Sequence, residues 1–318
     1  MTPYPIITRR EFILGSAGLL LSASFARASE PREKEQPEPI IDIHQHSPYS
    51  GRTGAEMIAH QRRIGVTTTI LLPAGSVVDR RTTHGGNSNG LAAGVGGNET
   101  ALEIVREHPG EFYFFANEVP DLPNAREEIE KYLKLGAIGI GEQKFGVDSD
   151  SKEIESIAEI ARDYGVPVLL HFQEGRYNSG LERFHKILEK FPDVNFLGHA
   201  QTWWGHIDKE HDPKVLYPKG PVVPGGLTDR LLSDYPNMFA DQSAGSGLNA
   251  LLRDEDHARW FLEKHQDKIL FGTDCSDAVG AGAQCQGAQT LAAIKRLAPD
   301  KAAERKILYE NAKALLKI

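Results

Sequence analysis

Sulfur is scarce in this chain. Two cysteines, Cys275 and Cys285, occur in 318 residues, which excludes a disulfide framework. One bridge between them stays open for an oxidising compartment, and two small buried side chains are the simpler reading. A basic block is missing everywhere except at the N-terminus, and the formal net charge is −8. That balance argues against a nucleic-acid partner. A membrane-length apolar run is also missing: the longest, Phe12 to Phe25, falls short of the roughly 20 residues that span a bilayer. There is no internal repeat and no linker dividing the body. With 40% hydrophobic and 25% charged residues, the remaining chain suffices for one large α/β barrel or two small domains.

The N-terminus reads as an export signal. Thr8-Arg9-Arg10-Glu11-Phe12-Ile13 is a twin-arginine pattern, the apolar stretch follows it, and Ala26-Arg27-Ala28 is a small-x-small cleavage site. Residues 1–28 are therefore expected to be a signal peptide handed to the twin-arginine export machinery. The mature protein would be periplasmic or extracellular; an uncleaved signal would instead anchor it to the membrane. Residues 29–39 are charged and proline-containing and read as a disordered lead-in, which leaves residues 40–318 as one domain.

Strand and helix alternate along that domain. Apolar runs ending in polar residues predict strands over 40–46, 66–72, 112–117, 137–144, 166–171, 194–199, 238–241 and 269–274. Helices are expected over 54–64, 98–108 with Asn98 as N-cap, 122–135, and 152–164 closed by Gly165. Further helices are expected over 180–190, 227–234, 254–265, 288–297 and 301–316, the last packed on the outside. Eight strands alternating with helices imply a (β/α)8 TIM barrel. Two segments fall at the C-terminal ends of strands, the active end of such a barrel. The first, 84–97, holds six glycines and reads as a lid or a surface excursion. The second, 200–226, carries Trp203 and Trp204, which either wall a pocket or pack on the rim.

The chemistry-bearing residues close four of these strands. His44 and His46 end the first and, two apart on a strand, face the same way. His171, His199 and Asp274 end the fifth, sixth and eighth. Imidazole nitrogens plus a carboxylate suit zinc or a similar divalent ion. Metal-activated water at that ion, with Asp274 accepting its proton, is the chemistry such a set supplies. Glu142 and Lys144, of equal parity on the fourth strand, read as a rim ion pair, as a carboxylate ligand, or as a substrate-carboxylate anchor or modified ligand. Arg176 is a further anchor candidate. Asp241-Gln242-Ser243 and the residues after it read as a tight turn into a helix.

From Asp42-Ile43-His44-Gln45-His46 to Asn311-Ala312 the chain resembles the amidohydrolase superfamily, in the amidohydrolase-related branch, which also contains metal-dependent decarboxylases. The resemblance implies that His44, His46, His171 and Asp274 are metal ligands. It makes His199 a second-metal ligand or a substrate-polarising group, and Glu142 a candidate bridge between two ions.

The function expected is a metal-dependent hydrolase attacking an amide, ester or lactone carbonyl of a small molecule, with Asp274 as general base and His199 assisting. The alternative is decarboxylation of a small unsaturated or aromatic acid at the same site. One or two ions, and a monomer or homo-oligomer, are both left open by the residues alone.

Overall fold

The computed structural model describes residues 38–85, 87, 90–91, 94–281 and 284–318; the signal-peptide reading and the lead-in to residue 37 lie outside them. Eight short parallel strands carry the domain: β1 (Ile41–Gln45), β2 (Thr68–Leu71), β3 (Phe112–Phe114), β4 (Ile140–Gln143), β5 (Val168–His171), β6 (Phe196–His199), β7 (Met238–Gln242) and β8 (Ile269–Phe271). They pair in chain order as β1-β2-β3 and β4 through β8. Backbone hydrogen bonds between Ala116 and its neighbours Gly139 and Gly141 join β3 to β4. At the other seam β8 meets β1 through a side chain: the Asp42 carboxylate accepts from Thr273 N (2.9 Å) and Thr273 Oγ1 (2.5 Å), and Asp274 N donates to His44 O at 2.8 Å. The result is the (β/α)8 barrel, with all strand C-terminal ends on one face.

The helices are α1 (Gly54–Ile64), α2 (Asn98–Glu107), α3 (Ala125–Lys134), α4 (Lys152–Tyr164), α5 (His185–Lys190), α6 (Ala200–Gly205), α7 (Leu227–Asp234), α8 (Ala244–Leu252), α9 (Glu255–Lys264), α10 (Gln286–Leu297), α11 (Lys301–Arg305) and α12 (Asn311–Leu316). Local signals account for several ends. Thr53 and Glu56 form a capping box on α1. Ser151 caps α4, and Gly165 ends it at φ +65°, a conformation cheap only for glycine. Asn98 is not the expected N-cap: Gly97 takes that place, and the Asn98 side chain turns inward to pair with the Asn117 backbone at 2.8 and 2.9 Å. No helix among the described residues is long and apolar enough to cross a membrane.

Alternation along the strands separates two apolar layers. Val168, Leu170, Phe196, Ile269 and Phe271 pack outward under the helices, whereas Ile41, Ile43, Ile70, Leu169, Leu197 and Leu270 form a second, inner cluster. Ala312 and Leu316 of α12 join that inner cluster. Of the helical stretch expected over 301–316, Ile307 and Leu308 pack into the outer cluster as expected, whereas α12 turns under the barrel at the end opposite the histidines. A second departure follows β6: instead of an open loop, α6 begins directly after His199. It buries Trp203 against Phe172, with ring centres 6.1 Å apart, and over Gly198, where any side chain would collide with the indole. Trp204 is buried too, donating from Nε1 to Asp241 O at 3.0 Å. Neither tryptophan walls the pocket; their apolar area went to the core.

Candidate metal centre

Beside a register irregularity between Asp42 and Gln45, His44 lies near the end of β1 and His46 just past it. Their tautomers follow from the outer ring nitrogen. His44 Nδ1 donates to Asp241 Oδ2 at 2.6 Å, and His46 Nδ1 donates to Leu72 O at 2.7 Å. With both rings neutral their Nε2 atoms would carry the lone pairs, and these nitrogens stand 3.2 Å apart. A proton on one ring bridges that gap as a hydrogen bond, and two bonds of about 2.0–2.1 Å to one zinc would span it as well. His199 repeats the pattern. Its Nδ1 faces Ser243 Oγ (3.0 Å) and Asp241 Oδ2 (3.2 Å), and its buried Nε2 has no hydrogen-bond partner.

Two carboxylates meet these nitrogens. Glu142, almost fully buried on β4, places Oε2 3.4 Å from His46 Nε2 and 3.7 Å from His44 Nε2. Its other oxygen lies 2.6 Å from His171 Nδ1 and 3.8 Å from His199 Nε2. Asp274 brings Oδ1 to 3.5 Å from His46 Nε2 and 3.8 Å from His44 Nε2, with no hydrogen bond of its own on that oxygen. The donors thus fall into overlapping groups: His44, His46 and Glu142; His44, His199 and Asp274; and Glu142, His171 and His199. His171 joins through Glu142 rather than beside the His44–His46 pair. This donor set fits one or two divalent ions.

The electrostatics are those of a cation site. Burial works against charge on His44, but Asp241, then Asp274, outweigh it and push its pKa well above the imidazole range. Burial likewise opposes ionisation of Glu142 and Asp241, yet Lys144 and the histidines hold Glu142, and His44 with His199 hold Asp241, well below the usual carboxylate range. Buried carboxylates that stay ionised here demand a compensating positive charge, which a proton on His44 meets in part and a bound cation would meet in its place.

The site opens into a cavity of about 330 Å³ whose wall includes Tyr49, Lys144, Gln201, Tyr217, Asp274 and Gln286. Asp274, Ala200 and Ala244 reach it from strand ends at φ +44°, +81° and +61°. Left-handed backbone at such residues costs about 1–3 kcal/mol each and is held by the surrounding structure. Tyr49 lines the cavity with Asp274; that carboxylate's charge, then burial, pushes the phenol far above its ordinary pKa. The Tyr49 ring also lies 4.9 Å from that of His46. Lys144 reaches the cavity, its ammonium 5.6 Å from the Tyr177 ring centre. Arg176 does not; it lines a separate groove with Arg81 and Asp148. Within the glycine-rich segment, Gly90 presses on Tyr177 and Lys144 at φ +76°, leaving no room for a Cβ, and His84 Nδ1 meets Tyr177 Oη at 2.6 Å. Of that segment, His84 and Gly90 thus pack on Tyr177 and Lys144, and Lys144 in turn lines the cavity.

Asp241, Ser243 and Tyr49 escaped the sequence reading. Asp241 carries the same signal as the others, a polar residue closing an apolar strand, but Asp241-Gln242-Ser243 also fits a turn into a helix. Tyr49 follows β1 in an irregular turn and carried none.

The family model for amidohydrolases matches residues 41–318. With most of the chain covered, the protein belongs to the amidohydrolase family, whose members are metal-dependent enzymes. No curated protein matches it. Among solved structures it is similar to an uncharacterized TIM-barrel protein from Bordetella bronchiseptica, at TM-score 0.60 and 14% identity over 88% of this chain and 99% of that one. It is similar also to 2,6-dihydroxybenzoate decarboxylase from Rhizobium, at 0.55 and 15% over 88% and 99%. A third is a probable 2-pyrone-4,6-dicarboxylic acid hydrolase from Acinetobacter baumannii with citric acid bound, at 0.54 and 13% over 88% and 99%. At such identities these likenesses describe the fold.

Proposed function

We propose that this chain is an exported, metal-dependent hydrolase acting on an amide, ester or lactone of a small molecule that bears a carboxylate. The observation that carries the reading is the double facing of Glu142: one oxygen addresses His44 and His46, the other His171 and His199. That arrangement supports two ions sharing one carboxylate. His44, His46 and Glu142 Oε2 would hold one beside Asp274, and Glu142 Oε1, His171 and His199 the other. Zinc suits the nitrogen-rich set. When bound, such ions supply Lewis-acid polarisation of the carbonyl and acidify water near neutral pH.

The chain's own residues supply the rest. Asp274 is the base: partly exposed to the cavity, it takes the proton of the attacking water and returns it to the leaving group. Tyr49, at the cavity wall with Asp274, would steady that carboxylate from the cavity side. Lys144, at the wall, offers an ammonium to a substrate carboxylate. Asp241 and Ser243 fix the rings of His44 and His199 from behind. Export by the twin-arginine route belongs to the same proposal and rests on Arg9-Arg10, the apolar stretch and Ala26-Arg27-Ala28.

The second reading is decarboxylation of an unsaturated or aromatic acid at the same donors, supported by the likeness in fold to 2,6-dihydroxybenzoate decarboxylase. Metal analysis of purified protein, paired with a screen over lactones, amides and aromatic carboxylates, separates the two. Metal-dependent hydrolysis supports the proposal. Release of carbon dioxide from a carboxylate substrate replaces hydrolysis by decarboxylation, and full activity of metal-free protein overturns both.

A further inference from the structure

A second donor cluster lies outside the histidine–carboxylate site. The ligand atoms of His60, Cys275 and Cys285 lie within 4.8 Å of one another, and all three side chains are buried. His60 comes from α1, Cys275 follows Asp274 after β8, and Cys285 caps α10. Three elements thus deliver one nitrogen and two sulfurs to one point. Hydrogen bonds outside the cluster decide which way His60 presents its lone pair. Gln61 Nε2 donates to Asp42 Oδ2 at 2.7 Å and to Thr69 Oγ1 at 2.9 Å, so Gln61 Oε1 can only accept. Oε1 takes the proton of His60 Nδ1 at 3.0 Å. His60 Nε2 is therefore the bare nitrogen, and it points at Cys285 Sγ, 3.3 Å away. A ring locked by a polar partner with its lone pair aimed at thiols is the outer-sphere arrangement typical of a histidine ligand.

We infer that His60, Cys275 and Cys285 form a second metal site, taking a thiophilic ion such as Zn²⁺ or Cu⁺. One imidazole and two sulfurs are a soft donor set, unlike the imidazole–carboxylate set of the catalytic centre. Binding Zn²⁺ converts two S–H bonds into two S–metal bonds and releases two protons to solvent. Two thiolates cancel the dication, so the buried unit carries no net charge. Cys275 lines the cavity, which gives an ion a way in. Occupancy would tie α1 and the start of α10 to Cys275, whose neighbours Ser276 and Asp277 wall the active cavity. The site would fix the pocket wall without touching substrate.

Cobalt(II) tests this, because only a sulfur ligand gives a thiolate-to-cobalt band in the near ultraviolet and the catalytic donors contain no sulfur. Reduced, chelator-stripped full-length protein titrated with Co²⁺ should develop that band, and added Zn²⁺ should bleach it. Cys275→Ser and Cys285→Ser should each abolish it with the far-ultraviolet dichroism unchanged, and His60→Ala should weaken Co²⁺ binding at this site at least tenfold. His44→Ala, which removes a catalytic ligand, should leave the band intact. Co²⁺ binding to the wild type without a near-ultraviolet band overturns the inference. So does a band surviving in Cys285→Ser, or recovery of Cys275 and Cys285 as a disulfide that re-forms in the presence of Zn²⁺.

Discussion

The carboxylate of Asp241 lies 2.6 Å from Nδ1 of His44 and accepts its proton. The same oxygen accepts from Ser243 Oγ at 2.9 Å and faces His199 Nδ1. One buried carboxylate therefore sets two rings, and with them the direction of two metal-facing lone pairs. Asp241→Asn keeps the shape but can present an amide N–H to His44. Metal affinity should fall about 10–100-fold, the usual cost of removing such an outer partner. Chelator competition measures it; affinity within about twofold of wild type would show that Asp241 is structural only.

Glu142 tests the ion count. Glu142→Gln removes the charge shared between the two histidine groups while keeping the volume. Bound metal measured by mass spectrometry should fall from two ions per chain to one or fewer. A wild type that binds one ion, with Glu142→Gln binding one as well, rejects the shared carboxylate.

Much of this fold was legible because barrel strands are buried on both faces and read as unbroken apolar runs. Helices α1, α4 and α7 fall where periodicity and caps put them, to the residue. The histidines and Asp274 were legible because each closes such a run. What was not legible depends on contacts between distant segments. Trp203 and Trp204 look like pocket walls in one dimension, and only the closeness of Gly198 and Phe172 shows that they belong to the core. Glu142 and Lys144 share parity, and the surrounding histidines, not spacing, decide which enters the metal site. Arg176 is near β5 in sequence, yet the turn over 173–177 carries it to another groove.

The histidines away from the metal site set an acid limit. Burial holds His206, His257 and His265 below the ordinary pKa of 6.5, and His211 down at about 4, where His206 and Arg253 add to the effect. The unfolded chain binds these protons near pH 6.5, and the folded chain resists them. Stability is therefore fully present above about 6.5 and is lost as pH falls towards 4. Melting temperatures of metal-stripped protein should be level from pH 8 to 7 and drop between 6.5 and 4.5. His211→Gln should make that drop shallower; an unchanged slope would remove His211 from the account.

Export is open to a direct test. Arg9→Lys with Arg10→Lys should leave precursor in the cytoplasm, because the arginine pair is the address that the machinery reads. Fractionation with N-terminal sequencing decides it: wild type should begin at Ser29, and normal accumulation of the double variant outside the cytoplasm would discard the twin-arginine reading.

Asp274 separates binding from proton transfer. Its backbone is firmly placed: Asp274 N donates to His44 O at 2.8 Å, and its left-handed φ turns the side chain over the His44–His46 pair. Asp274→Asn keeps that shape and, through its remaining oxygen, a weaker ligand, but it removes the base. The histidines and Glu142 should still retain metal. Turnover should fall by about 10²–10⁴-fold, the range for general acid–base catalysis, with KM changing far less. Tyr49→Phe, which removes the phenol at the cavity wall without deleting the carboxylate, should lower kcat by roughly tenfold or less. An Asp274→Asn protein that is folded, metal-loaded and within about threefold of wild-type turnover would exclude Asp274 as the proton carrier.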